Sequence, residues 1–256
     1  MSGMVRIAAV GDVHIAEDVA GQFRPGMADL AERADVLLLA GDLTRFGTPD
    51  EARLVAAEFG GLPVPVVAVL GNHDYQSDQV PELVSILADA GITVLEGDST
   101  VIDTPAGRLG IAGTKGFGGG FAGRCATAFG EPEMKAFVGA SGALADRLGE
   151  ALRSVECDVR VALTHYAPVP DTLAGEPLEI YPFLGSYLLA QAIDSAPTVL
   201  AVHGHAHYGS ERGMTPGGVL VRNVAHPVIR QAYSLFHLDV PSPVTEELAG
   251  AERATG

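Results

Sequence analysis

The chain has 256 residues, 47% apolar and 19% charged, which allows a large buried core and excludes a mainly disordered polymer. Its formal charge of -16 sets 32 acidic residues against 16 basic ones, and Lys115 and Lys135 are the only lysines. Long nucleic acids and anionic membranes are held by clustered basic side chains, which this chain lacks, so neither is an expected partner.

Residues 6–10 form a short apolar run ending in Gly11-Asp12, and residues 27–34 follow with the helical spacing of Leu30, Ala31 and Ala34. The pattern repeats. Residues 36–40 end in Gly41-Asp42 ahead of a helix over 49–59, and residues 66–70 end in Gly71-Asn72 ahead of a helix over 80–90 that stops at Gly91. Strands alternating with helices predict parallel pairing through right-handed crossovers, so the three polar turns emerge on one sheet edge, where ligands gather in open sheets.

Beyond this point the pattern changes. Residues 94–95, 100–103 and 109–113 are short strands without intervening helices and predict antiparallel additions. A glycine-rich loop spans 114–130, a helix with weak points at Gly139 and Gly142 spans 132–155, and a strand over 159–163 delivers His165. A helix over 186–196 precedes a strand over 199–202, and 219–224 with 232–238 read as closing antiparallel strands. The expected fold is α/β, a four-layer αββα sandwich of two mixed β-sheets flanked by helices. One domain is expected over 1–240, with a loosely ordered tail over 241–256.

The longest apolar runs, 36–40 and 64–70, are too short to cross a bilayer. The first apolar run leads straight into Asp12, so cleaving it as a secretory signal would remove the first motif. Cys125 and Cys157 have no metal-type partner nearby in sequence and read as buried thiols, which suits a reducing cytoplasm.

Hard oxygen and imidazole donors recur where the apolar runs end: Asp12-Val13-His14, Gly41-Asp42, Gly71-Asn72-His73-Asp74, His165 and Gly204-His205-Ala206-His207. Glycine permits a sharp turn at Gly71, and the amide oxygen of Asn72 is a neutral hard ligand. In an extended chain His203, His205 and His207 would share one face, where a metal would relieve the repulsion between charged imidazoles. His203, upstream of the Gly204 turn, is expected to support the ligands from behind or to be structural, and His226 and His237 are expected to be structural.

Taken in order, these motifs resemble the calcineurin-like metallophosphoesterase superfamily over about four fifths of the chain. The resemblance implies that Asp12, His14 and His207 hold one metal, that Asn72, His165 and His205 hold another, and that Asp42 bridges both. It also places His73 beside the substrate, stabilising the transition state or protonating the leaving oxygen, with Asp74 as its partner. The implied cofactors are two ions of Mn, Fe or Zn, because nitrogen and oxygen donors without thiolates do not choose sharply among them. The implied reaction is in-line attack on phosphorus by hydroxide formed on those ions.

Protein phosphatases of the superfamily carry Asp-Arg-Gly after the second motif and Glu after Gly-Asn-His, where this chain has Leu43-Thr44-Arg45-Phe46-Gly47 and Asp74. The pattern is more similar to bacterial phosphodiesterases, and a small phosphodiester, cyclic nucleotides included, is the expected substrate. Phosphomonoesters and nucleotide pyrophosphates are the alternatives on the same centre, and a protein-binding scaffold is the alternative of another class. Lys115 and Arg124, in the glycine-rich loop, are expected to contact phosphate or base, with residues 171–181 as a further wall. Oligomeric state is not legible.

Overall fold

A computed structural model describes residues 3–240; the tail expected over 241–256 lies outside them. The chain opens with strand β1 (Met4–Val10), a 3-10 turn at Arg24–Met27 and the short helix α1 (Leu30–Arg33). Then come β2 (Val36–Ala40), α2 (Pro49–Phe59), β3 (Val66–Val69), α3 (Val80–Asp89) and β4 (Ile92–Val94). Next are β5 (Asp98–Thr104), β6 (Gly107–Thr114), the small ribbon β7 (Gly120–Phe121) and β8 (Arg124–Cys125), and α4 (Pro132–Ser154). After β9 (Val159–Thr164) run α5 (Tyr181–Leu184), α6 (Tyr187–Asp194), β10 (Leu200–His203), β11 (Arg212–Met214), β12 (Leu220–Asn223), α7 (His226–Ile229) and β13 (Ser234–Asp239).

The strands form two large mixed sheets, ordered β13-β1-β2-β3-β4 and β11-β12-β10-β9-β6-β5. All five residues of β2 are buried because both faces of its sheet are covered. Val36, Leu38 and Ala40 face the second sheet, against Ile111, Val161, Leu163 and Val202, while Leu37 and Leu39 pack with Val55 and Phe59 of α2. On the far side α4 and α6 cover the second sheet through Leu148, Leu152, Leu189 and Ile193. The four-layer αββα order is therefore present. Each buried Leu, Ile or Val contributes roughly 1.5–3 kcal/mol, so the rigidity of the strand ends comes from these three apolar layers.

Three local expectations change. The helix expected over 27–34 shrinks to a 3-10 turn and four residues of α1, since so short a segment cannot offset its nucleation cost. Instead of an antiparallel addition, the strand after α3 is β4, paired parallel to β3, because α3 is itself the crossover of a third strand-helix-strand unit. β12 also pairs parallel to β10, because β11 intervenes and runs opposite to both. β13 closes antiparallel on β1, as expected. The glycine-rich stretch holds the β7-β8 ribbon, and α4 runs through Gly139 and Gly142, where nothing packs within 4 Å of a would-be side chain.

Both cysteines are free, but Cys125 is exposed and Cys157 only partly covered, which corrects the expectation of buried thiols. Cys125 lies on β8, both of whose residues are exposed. No helix of the described residues is long and apolar enough to cross a membrane.

Candidate metal centre

The loops after β1 and β2 are joined backbone to backbone: the amides of Asp12, His14 and Ile15 donate to the carbonyls of Gly41, Asp42 and Leu43 at 2.9, 3.1 and 2.9 Å. Three of the residues so held, Asp12, His14 and Asp42, have positive φ of 55°, 43° and 49°, and His205 has 69°. A non-glycine residue in this region costs about 1–3 kcal/mol and persists where its surroundings dictate the conformation. Here the paired loops dictate it, and each strained residue points a donor at the same volume.

Two overlapping donor sets result. Asp12, His14, Asp42 and His207 form one and Asp42, His165 and His205 the other, the chosen donor atoms of each set lying within 4.8 Å of one another. Asp42 belongs to both: its Oδ1 is 3.4 Å from His165 Nε2 and its Oδ2 is 3.8 Å from His14 Nε2. Asn72 joins the second set, with Oδ1 3.0 Å from His165 Nε2. Thus the seven residues that the motifs nominate, spread from position 12 to 207, converge.

The donors fit a pair of cations chemically. His165 Nδ1 lies 2.9 Å from the carbonyl of Ala40 and carries the proton there, so its Nε2 lone pair faces two further acceptors, Asn72 Oδ1 and Asp42 Oδ1. His14 Nε2 is buried without a hydrogen-bond partner. His205 Nε2 lies 3.2 Å from the carbonyl of Phe183, which leaves Nδ1 as its free donor atom. Such mutually repelling lone pairs are stabilised by a cation.

Electrostatics favour the ligating protonation state at His14, His205 and Asp12, whereas the hydrogen bond to Asp12 raises the pKa of His207. Burial pushes His14 down to about 4 and His205 down to about 3, so both are neutral imidazoles near neutral pH. Burial also opposes ionisation of Asp12, but the hydrogen bond from His207, 2.9 Å from Asp12 Oδ1, and the neighbouring histidines hold its pKa below the usual carboxylate value. Burial raises the pKa of Asp42 despite nearby His165, and a cation would reverse that shift.

His203 is structural, as expected. Its ring is fully buried between the carbonyl of Gly204 at 2.7 Å and the hydroxyl of Thr172 at 2.8 Å, and burial lowers its pKa to about 4. It does not share an extended face with His205 and His207, because the chain turns left-handed at His205. His73 stands at the solvent side of the centre, its ring 4.5 Å from that of His14. Its Nδ1 is 2.7 Å from the carbonyl of Arg45, which directs Nε2 to within 3.9 Å of Asp42 Oδ2.

Asp74 is not the partner of His73. It is fully buried and accepts from the amides of Leu43, Thr44 and Gly71 at 3.2, 2.8 and 2.8 Å and from the Thr44 hydroxyl at 2.6 Å. Burial raises its pKa. Its carboxylate ties the second and third motif loops together, a task set by backbone groups about thirty residues away in sequence. Lys115 is buried close to the centre, whereas Arg124 is exposed on β8 beside Cys125, Glu179 and Tyr181. Residues 170–180 include two 3-10 turns, Pro170–Leu173 and Leu178–Ile180, which line the Arg124 pocket through Pro170, Leu178 and Glu179.

Asp12 and His14 also line an open cleft of roughly 380 Å³ whose other walls include Gln22, Phe23, Arg45, His226 and Gln231. Sequence reasoning left these residues out. Arg45 follows Asp42 by only three positions, a signal that was available. His226 arrives through β12, its amide donating to the Gly11 carbonyl at 2.8 Å, and no local pattern reveals that.

The family model of the calcineurin-like phosphoesterases matches residues 5–215, the span that supplies both donor sets. The chain belongs to this family. A phosphopantetheinyl hydrolase from Mycobacterium tuberculosis superposes on this calcineurin-like phosphoesterase with a TM-score of 0.64 at 15% identity, over 95% of this chain and 98% of that one. The protein TT1561 of Thermus thermophilus gives 0.54 at 16% identity, over 93% and 100%. GAP50, described as the anchor in the inner membrane complex of Plasmodium, gives 0.54 at 13%, over 88% and 72%. At such identities the likeness is one of fold. None of the functionally curated proteins matches the sequence.

Proposed function

We propose that this calcineurin-like phosphoesterase hydrolyses a small phosphodiester at a dinuclear metal centre, with cyclic nucleotides among its candidate substrates. The observation that carries the reading is the pair of donor sets sharing Asp42, with all seven ligand positions filled. Asp12, His14 and His207 would hold one ion, Asn72, His165 and His205 the other, and Asp42 both. When bound, two such ions supply Lewis-acid charge and an activated water at neutral pH.

The chain's own residues account for the rest. His73, held through Nδ1 by the Arg45 carbonyl, presents Nε2 to the reacting region and, when protonated, donates to the leaving oxygen. Arg45 is the one guanidinium lining the cleft, and it is also ion-paired to Asp18 at 2.8 Å. A single, partly neutralised guanidinium suits the monoanion of a diester better than the dianion of a monoester. The net charge of -16 opposes long polyanions. A scaffold role needs none of these donors, and their full presence favours an enzyme. Mn, Fe and Zn suit the nitrogen and oxygen donor set, and the two free cysteines are compatible with a cytoplasmic setting.

The test is a turnover panel on purified protein with Mn: bis(p-nitrophenyl) phosphate, p-nitrophenyl phosphate and cyclic nucleotides. Chelator-sensitive hydrolysis with the diester preferred supports the reading. Preference for the monoester would replace it with a phosphomonoesterase, and inactivity on every ester would favour a scaffold.

A further inference from the structure

Gln22, Gln231 and His226 meet in the open cleft beside Asp12 and His14, and none of the three belongs to a donor set. Gln22 lies on a fastened loop. Buried Glu58 accepts from the amide of Gly21 and, at 2.7 Å, from that of Arg24, while the Arg24 guanidinium donates back to the carbonyls of Glu58 and Gly60 at 3.0 and 2.7 Å. Phe23 anchors the same loop, its ring 5.9 Å from that of Phe59 and 4.9 Å from that of His226. The other two residues arrive on a second loop. The amide of His226 donates to the Gly11 carbonyl at 2.8 Å, one residue before Asp12, and Arg230 ends α7 with a left-handed φ of 51° ahead of Gln231.

Each carboxamide is held by one N–H: Gln22 Nε2 donates to the Asp18 carbonyl at 2.9 Å and Gln231 Nε2 to Ser234 Oγ at 3.3 Å. A carboxamide has a second N–H and an oxygen besides, and an uncharged imidazole has one donor and one acceptor. Burial lowers the pKa of His226, so its ring is uncharged near neutral pH. The guanidinium of the cleft, Arg45, is already ion-paired to Asp18 at 2.8 Å, and its carboxylate, Asp12, belongs to the first donor set. A second anion therefore finds no unpaired counter-charge there. A purely apolar group would strip water from three polar side chains without replacing its hydrogen bonds. At roughly 380 Å³ the cleft lies near the low end of the range of about 300–1,000 Å³ for small-molecule sites, room for one arm of a diester.

We propose that this cleft selects the substrate through one arm of the diester, an uncharged arm bearing hydrogen-bond donors and acceptors as a nucleoside or a polyol does, with Gln22, Gln231 and His226 as the residues that read it; this rests on the phosphodiesterase reading above. Asp12 and His14 belong both to the first donor set and to the cleft wall, so an arm that leaves the phosphate on that side enters the cleft directly.

Steady-state kinetics on the Mn-loaded full chain test this, with three p-nitrophenyl diesters whose other arm is a primary alcohol: thymidine through its 5′ oxygen, glycerol, or benzyl alcohol. Loss of each diester is followed by chromatography, which counts cleavage of either ester bond. Wild type is expected to favour the thymidine or the glycerol diester over the benzyl one by about tenfold or more in kcat/KM, and whichever leads names the arm. Gln22→Leu and Gln231→Leu, similar in shape but without hydrogen bonds, should each lower kcat/KM on the favoured diester by about three- to tenfold more than on the benzyl diester, mainly through KM. Wild type that cleaves the benzyl diester within about threefold of both others overturns the inference even if the variants do not fold, as does a loss in the variants that is equal on all three. Failure of wild type to take up metal or cleave any diester would sink the phosphodiesterase reading and this inference together; an active enzyme without the preference would sink this inference alone.

Discussion

A methyl group on Gly204 would overlap Asp12 Oδ2. The same holds between Gly71 and Asp42 Oδ1, so two of the proposed metal-binding carboxylates sit in space that only glycine leaves open. Gly204→Ala and Gly71→Ala should therefore displace a carboxylate without removing it. We expect each to weaken metal binding on the order of 10–100-fold, as measured by calorimetric titration with Mn.

The shared carboxylate makes the donor sets unequal under mutation. His14→Ala and His205→Ala should each reduce stoichiometry from two ions per chain to one, because each removes a donor belonging to one set. Asp42→Ala should lower both. Elemental analysis after gel filtration distinguishes these outcomes.

Asp74 and His73 are neighbours with separate tasks. Asp74→Ala leaves three backbone amides and a hydroxyl without their acceptor in a buried setting, so we expect a loss of roughly 3 kcal/mol or more in urea unfolding. His73→Ala should unfold much as wild type does. It should instead slow diesters with poor leaving groups by about 10²–10⁴-fold and p-nitrophenyl esters far less.

His203 predicts an acid-side loss of stability. Its folded pKa of about 4 lies below its ordinary value of 6.5, so between those values the unfolded chain binds a proton that the folded chain refuses. The contribution is fully present above pH 6.5 and is lost as pH falls towards 4, amounting to about 3 kcal/mol. Metal-free wild type compared with His203→Gln by denaturant unfolding across this range should show a shallower pH slope in the variant.

Much of the fold was legible because each of β1, β2 and β3 is an apolar run ended by glycine or by a polar turn, and the crossover rule puts such turns on one edge. That logic located Asp12, His14, Asp42 and Asn72, and the same pattern found His165 and His205 on the second sheet. It failed where an amino acid's partner is remote. Adjacency in sequence pairs Asp74 with His73, although its bonds run to Leu43 and Thr44, and nothing local marks His226, although the Gly11-Ala225 bridge carries it to the cleft. Periodicity also misled at His205, whose left-handed backbone ends the extended run on which a shared histidine face depends.

The central claim is that Asp42 joins two ions into one centre. Electron paramagnetic resonance of protein loaded with two equivalents of Mn tests it most directly. We expect the broad spectrum of an exchange-coupled pair in wild type, collapsing to that of isolated ions in Asp42→Ala. Two equivalents of Mn giving only isolated-ion signals in wild type would contradict it.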